Sequence, residues 1–198
     1  MEPLATADVA HAAPAGTVTV LRGLAAVWPG AAASGPAFPC ACSPGDNLAL
    51  HLALTQAPAG SVVVCDAGGD DSCAYAGELM ALDARERGLA GLVVDGAVRD
   101  TGVLEEVGLP VFAAGACPRS PAKAAGGSVG EEIVVRGVAV RPGDLIVADR
   151  DGVLVARDAD LDALTEEVAA IRAREEGIRA AIARGERLAE LLRVNSRA

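Results

Sequence analysis

The chain is 198 residues long, carries a formal net charge of −10, and is 52% hydrophobic but only 2% aromatic. That length holds one full domain and a short appendage, with a large core that must be aliphatic. The acidic balance argues against a nucleic-acid surface or an anionic membrane, and one Trp, one Tyr and two Phe leave little to stack on bases. A small acidic substrate stays compatible, because a local arginine decides that.

In chain order, the Ala- and Pro-rich entry Met1–Gly16 predicts a short helix around Ala7–Ala12 and then a loop. Val18–Leu21 reads as a short strand, Leu24–Gly35 as a loop broken by Pro29, Gly30 and Gly35, and Ala37–Ser43 as an extended segment. Pro44-Gly45-Asp46 is a turn. Asp46 can cap a helix over Asn47–Gln56 whose face carries Leu48, His51, Leu52 and Thr55. His51 is read as a packing or capping residue in preference to a ligand or base. Ser61–Cys65 is a buried strand, and Asp66-Ala67-Gly68-Gly69-Asp70-Asp71 a flexible loop. That loop has neither a GxGxxG pattern nor a Walker lysine, so no nucleotide site is expected.

Gly77–Gly88 reads as a helix, with Leu79 and Leu82 at helical spacing and Gly88 as its stop. A buried strand follows over Gly91–Asp95 with a turn at Gly96, and delivers Arg99 and Asp100 side by side. The helix start delivers Glu78 and the free amides of Leu79 and Met80. If the two ends lie close, one pocket holds two acids, a guanidinium and unpaired N–H groups. Such a pocket can bind a carboxylate and a hard divalent cation. The alternative is an exposed helix start and a surface Arg-Asp turn.

Beyond Asp100, the pattern predicts a short helix over Thr101–Val107 capped by Thr101, a strand over Leu109–Ala113 and a long loop over Ala116–Gly130. Short strands then follow at Glu132–Val135, Val138–Val140, Leu145–Asp149 and Val153–Ala156. Sequence patterning reaches only a partly parallel α/β sheet. Residues 1–157 form this domain and 158–198 a helical extension. In that extension Leu161, Leu164, Val168, Ile171, Ile178, Ile182 and Leu192 fit a heptad stripe interrupted at Glu175 and Gly185.

The five cysteines are odd in number and irregularly spaced, which fits a reducing cytoplasm. Cys40 and Cys42 share one face of a strand. They lack the second pair or nearby histidines of a zinc site and read as buried small hydrophobes. Neither a secretory leader nor an apolar run long enough to span a membrane is seen.

Several motifs, taken in order, carry a resemblance. They are Pro44-Gly45-Asp46-Asn47-Leu48-Ala49-Leu50-His51, Gly77-Glu78, Val94-Asp95-Gly96-Ala97-Val98-Arg99-Asp100, Gly108-Leu109-Pro110-Val111-Phe112-Ala113, Ser120-Pro121-Ala122-Lys123, Val140–Asp149 and Asp151-Gly152-Val153. Over roughly residues 20–157 the chain resembles the RraA-like family. That family joins magnesium-dependent 4-hydroxy-4-methyl-2-oxoglutarate aldolases to ribonuclease-activity regulators. The resemblance implies a three-layer swivelling β/β/α fold, here with a long C-terminal helix, and a homotrimer or homohexamer.

It also implies a class II aldolase and decarboxylase of 4-carboxy-2-oxo acids, such as 4-hydroxy-4-methyl-2-oxoglutarate or oxaloacetate, working through a pyruvate enolate. Asp100 would ligate Mg2+ (or Mn2+), Glu78 would hold metal-bound water, and Arg99 would grip the substrate beside Gly77 and the amides of Leu79 and Met80. Many of the aldolases carry another acid three residues after the Asp. Here that position is Val103, with Glu105 and Glu106 just beyond. The only Schiff-base candidate, Lys123, lies in a Gly-rich loop, which favours the metal route. The alternative within the family is a regulator that binds a ribonuclease without catalysis; the acid retained at Asp100 favours catalysis. The older label of some members as demethylmenaquinone methyltransferases finds no adenosylmethionine loop to support it.

Overall fold

The computed structural model describes residues 4–159 and 161–194, and the chain divides into two compact units, Met1–Ala159 and Asp160–Ala198.

In the first unit the organising feature is a parallel ribbon. It comprises β3 (Ala33–Cys42), β4 (Val62–Ala76), β5 (Gly91–Val98) and β6 (Val111–Ala116). Its crossovers carry α2 (Leu48–Gln56), α3 (Glu78–Glu86) and α4 (Leu104–Val107). These strands are buried on both faces, as parallel strands must be. The alternation along β4 shows how. Val63 and Cys65 enter a core shared with Leu50, Leu54, Ala81 and Ala84 of the helices. Val62 and Val64 enter a second core on the other face.

That second core is closed by β10 (Leu145–Asp149), β11 (Gly152–Ala156) and the hairpin of β8 (Ile133–Val135) with β9 (Val138–Val140). β3 joins the layers. Its first half, Ala33–Pro36, pairs antiparallel with β10, and its second half, Ala37–Ala41, pairs parallel with β4. The full sheet has nine strands in the order β1-β11-β10-β3-β4-β5-β6-β2, with β1 at Val18–Val20 and β2 at Ala25–Ala26, and β7 (Gly127–Val129) pairing β3. Helix, sheet and second β layer give the three-layer α/β arrangement expected. A short α1 (Thr6–Ala12) starts where Thr6 donates through its amide and hydroxyl to the Asp149 carboxylate, at 2.8 and 2.7 Å.

Several expectations are corrected. Asp66–Asp71 is no free loop. β4 runs through it with register shifts, because Gly68 and Gly69 adopt φ of 65° and 73° and let the strand bulge before Asp70 pairs again with Gly96. Gly96 makes no turn either. β5 continues to Val98, and Gly96 is needed because a Cβ there would press on Ala67, the Asp70 carbonyl and Tyr75 at 3.0–3.1 Å. The Leu24–Gly35 loop contains β2 and the start of β3, and the Ala116–Gly130 loop contains β7. α4 begins at Leu104, so Thr101 caps nothing.

The helix faces are also turned from those expected. α2 buries Ala49, Leu50, Ala53 and Leu54 while Leu52 is exposed, and α3 buries Ala81 and Ala84 while Leu79 is 74% exposed. Alanines let these helices lie close on a sheet whose own side chains already fill the core.

The second unit holds α5 (Leu161–Ala183) and α6 (Leu188–Leu191). Asp160, the predicted start of this helix, lies outside the described residues. Glu175 does not interrupt α5; it pairs with Arg179 one turn on, at 2.9 Å. Gly185, with φ of 93°, follows the end of α5. Of the stripe, Leu164, Val168 and Ile171 are buried, whereas Leu161, Ile182 and Leu192 are exposed. Among the described residues no helix is long and apolar enough to cross a membrane.

Candidate active site

The end of β5 and the start of α3 meet. The Arg99 amide donates to the Ala76 carbonyl at 2.9 Å, which lays the Arg-Asp pair against the residue before Gly77. Asp100 then takes a left-handed backbone, φ 58°, uncommon for a residue with a side chain though tolerated by Asp. Its Oδ2 accepts the Glu78 amide at 3.1 Å and lies 3.3 Å from Arg99 Nε. One carboxylate therefore sits on a free N–H of the first turn of α3, where both the open amides and the helix dipole favour negative charge.

Gly77 makes this approach possible. A Cβ there would stand 2.5 Å from Asp100 Oδ2, 2.9 Å from Arg99 Cγ and 3.1 Å from Arg99 Nε. The glycine's φ of −159° is ordinary extended backbone, so space alone demands it.

Arg99 is shared by two hollows. One, of about 140 Å³, is lined by Asn47, His51, Tyr75, Leu79, Arg99 and Lys123 among others, and also touches Gly77 and Met80. The other, of about 220 Å³, is lined by Arg99, Asp100, Thr101 and Cys117 with their neighbours. Arg99 Nη1 donates to Ser120 Oγ at 2.8 Å, which orients the guanidinium. The Glu78 side chain is exposed and lines neither hollow; its amide, not its carboxylate, contacts Asp100.

The rest of the first hollow is held by polar ties that sequence reasoning passed over. Asn47 Nδ2 donates to the Tyr75 carbonyl at 2.8 Å, while Asn47 Oδ1 and His51 Nε2 are buried without a hydrogen-bond partner. Burial, then the nearby Lys123 charge, draws the His51 pKa down, which keeps the ring neutral near pH 7. Asp46 accepts the amides of Ala124 and Ala125, at 2.6 and 2.9 Å, and of Leu48 at 2.9 Å. Those bonds hold its carboxyl below the usual range and pin the loop that brings Ser120 and Lys123 to the cavity. Tyr75 Oη donates to Asp70 Oδ2 at 2.7 Å and accepts the Gly45 amide at 2.9 Å. The motif Pro44–Asn47 signalled a turn and a cap; nothing in its spacing signalled that Asn47 would reach Tyr75.

Among the described residues no group of three or more His, Cys, Asp or Glu side chains could close around a metal. A hard cation held there by the Asp100 carboxylate would keep most of its water.

A parallel α/β sheet with an Arg-Asp pair at its strand end and a helix N-terminus opposite defines a class. It is an α/β protein with a polar site beyond the carboxyl ends of its strands, where an arginine and open helix amides are the groups that bind anions. Comparison with known proteins makes that class specific. The RraA-like (Aldolase/RraA) family matches residues 6–155, and the chain belongs to that family.

A protein of Halalkalibacterium halodurans provisionally described as a 4-hydroxy-4-methyl-2-oxoglutarate aldolase is 42% identical over 121 residues, which is 61% of this chain and 58% of that protein. One from Burkholderia mallei with the same description is 44% identical over 117 residues, 59% of this chain and 71% of its own length. The match thus spans less than two thirds of the first relative. Among solved structures, the RNA-processing inhibitor RraA of Thermus thermophilis superposes with a TM-score of 0.72 at 33% identity, covering 81% of this chain and 98% of its own.

Proposed function

We propose that the protein is a carbon–carbon lyase dependent on a divalent metal, acting on 4-carboxy-2-oxo acids such as 4-hydroxy-4-methyl-2-oxoglutarate or oxaloacetate. The observation that carries this reading is the convergence of Arg99 and Asp100 on the glycine-started α3 beside a cavity. The names of the aldolase relatives support the same chemistry.

In this reading Arg99 holds the carboxylate and carbonyl region of the 2-oxo acid, helped by the amides of Leu79 and Met80 beside Gly77. Asp100 would hold Mg2+ or Mn2+, with Glu78 reaching it through water. When bound, that cation supplies Lewis-acid polarisation of the carbonyl. Arg99 stabilises the negative charge that develops on the pyruvate fragment as the bond to C4 breaks. His51, Asn47 and Lys123 make the rest of the hollow's lining polar.

The test is pyruvate release from oxaloacetate, with and without EDTA. Loss on chelation and return with Mg2+ is expected. Activity that survives the chelator, or survives Asp100→Asn, overturns the proposal. Mn2+ binding followed by its electron paramagnetic signal gives a readout apart from turnover, and Asp100→Asn should weaken it.

The alternative is a non-catalytic regulator that contacts a ribonuclease, supported by the name of the Thermus neighbour. Co-purification with a ribonuclease without metal-dependent turnover would favour it. For either role the expected assembly is a homo-oligomer, trimer or hexamer, to which the exposed Leu161, Ile182, Leu188 and Leu192 of the C-terminal unit would contribute apolar contact surface. A monomeric mass by light scattering would defeat that.

A further inference from the structure

Three thiols gather where β3 ends beside β4, outside the lining of both hollows at Arg99. Cys40 and Cys65 face each other in register and are both fully buried. Cys42, two residues along the same face of β3, is only partly buried, and its Sγ lies 3.6 Å from the Cys65 Sγ. That is sulfur–sulfur contact. A disulfide requires closure to about 2.05 Å, and the position is suited to it, because the β3–β4 ladder makes its last contiguous pair at Ala41 and Asp66 and Cys42 is the final residue of its strand.

The three sulfurs are also inequivalent. Hydrogen bonds from the Cys40 thiol first, and from Cys65 second, pull the Cys42 pKa well down. The same contacts, together with burial, push Cys40 and Cys65 up. A partly exposed thiolate beside a protonated, buried thiol is the arrangement of an attacking and a resolving cysteine.

We propose that Cys42 and Cys65 form a peroxide-sensitive thiol pair, with Cys42 as the reacting sulfur and Cys65 as the resolving one. The Cys42 thiolate attacks one oxygen of a hydroperoxide, here hydrogen peroxide. The O–O bond breaks, leaving a sulfenic acid on Cys42 and releasing hydroxide. The Cys65 sulfur then attacks the Cys42 sulfur, the S–O bond breaks, and the departing hydroxide leaves as water with the thiol proton. Two thiols are oxidised by two electrons to one disulfide, and one peroxide is reduced to two waters. Cys40, held on the fully buried side of the cluster, is not required. None of these cysteines lines either hollow at Arg99, so the inference stands or falls apart from the lyase reading.

The experiment exposes the full chain to hydrogen peroxide, blocks remaining thiols with N-ethylmaleimide, and cleaves before aspartate. Cuts before Asp46 and Asp66 put Cys42 and Cys65 in different fragments. The expected result is a reducible link between the fragment ending at Gly45 and the fragment Asp46–Cys65. Cys40→Ser should keep that link. Cys42→Ser should abolish it and slow the first thiol loss by about tenfold or more. Cys65→Ser should instead accumulate a Cys42 sulfenic acid that dimedone traps. Circular dichroism of each variant establishes that it folds. Oxidation of folded Cys42→Ser at the parental rate overturns the proposal. So does a link made to Cys73 or Cys117, or oxidation of Cys42 without any link to Cys65.

Discussion

Substituting Gly77 by alanine tests the geometry of the site without touching a charged group. The new Cβ would sit 2.5 Å from Asp100 Oδ2, about 0.9 Å inside the 3.4 Å at which ordinary contact begins. The carboxylate cannot retreat toward Arg99, whose Cγ and Nε would themselves stand 2.9 and 3.1 Å from the added methyl. It must therefore move off the Glu78 amide, which it now reaches at 3.1 Å. Loss of that half-exposed, charge-assisted bond should cost about 1 kcal/mol of stability, a shift of a few degrees in melting temperature.

The effect on turnover should be far larger, because displacing a catalytic group by about 1 Å can cost on the order of a hundredfold. Backbone strain does not confuse the result, since φ at Gly77 is −159°. Gly102, whose added Cβ would meet nothing within 4 Å, supplies the control: Gly102→Ala should stay within about twofold of the parent, as open-space substitutions do. Pyruvate release from oxaloacetate measures activity, and differential scanning calorimetry measures folding. If folded Gly77→Ala keeps activity within about twofold, the Gly77–Arg99–Asp100 contact is not the catalytic constellation.

Arg99→Lys keeps the charge but loses the fork that binds Ser120 Oγ at 2.8 Å while lying 3.3 Å from Asp100. Steady-state kinetics should show a KM raised by about tenfold or more with the fold intact, and an unchanged KM would remove Arg99 from substrate binding. Tyr75→Phe addresses acid stability. Asp70 is held down to about 2, chiefly by the Tyr75 hydroxyl and then by the Ser72 amide. Its stabilising contribution is thus present above the unfolded value near 4 and is lost as pH falls from there toward 2. The variant should be less stable than the parent at pH 7, and urea titrations should show the gap narrowing between pH 4 and pH 2; a gap independent of pH would refute the assignment. Arg136→Ala would leave Asp95, only 3% exposed, without the guanidinium now 2.7 Å away. Because Arg136 is itself partly exposed, the expected cost is about 2–3 kcal/mol, below the full penalty of a buried orphan charge. Urea unfolding with a loss under about 0.5 kcal/mol would show that water already solvates Asp95.

The sequence determined what is local or periodic. The apolar runs of β4 and β5 announced strands buried on both faces, Gly88 announced the stop of α3, and the order of motifs from Pro44 to Val153 announced the family. It also brought Glu78, Arg99 and Asp100 to notice, because helix starts and strand ends carry their chemistry in neighbouring residues. What it could not reach were contacts across the fold. Gly96 looked like a turn because a glycine's local freedom is visible, whereas the pressure of Ala67 and Tyr75 against it is not. Leu79 and Leu82 looked like a core stripe, yet alanines face the sheet, since the depth of a helix on a sheet depends on what the sheet has already filled. Asn47 with Tyr75, Asp46 with Ala124, and Cys42 with Cys65 are 23 to 78 positions apart along the chain. Only the folded backbone sets such distances, because each is the sum of many turns and registers, none of which leaves a mark at the residues themselves.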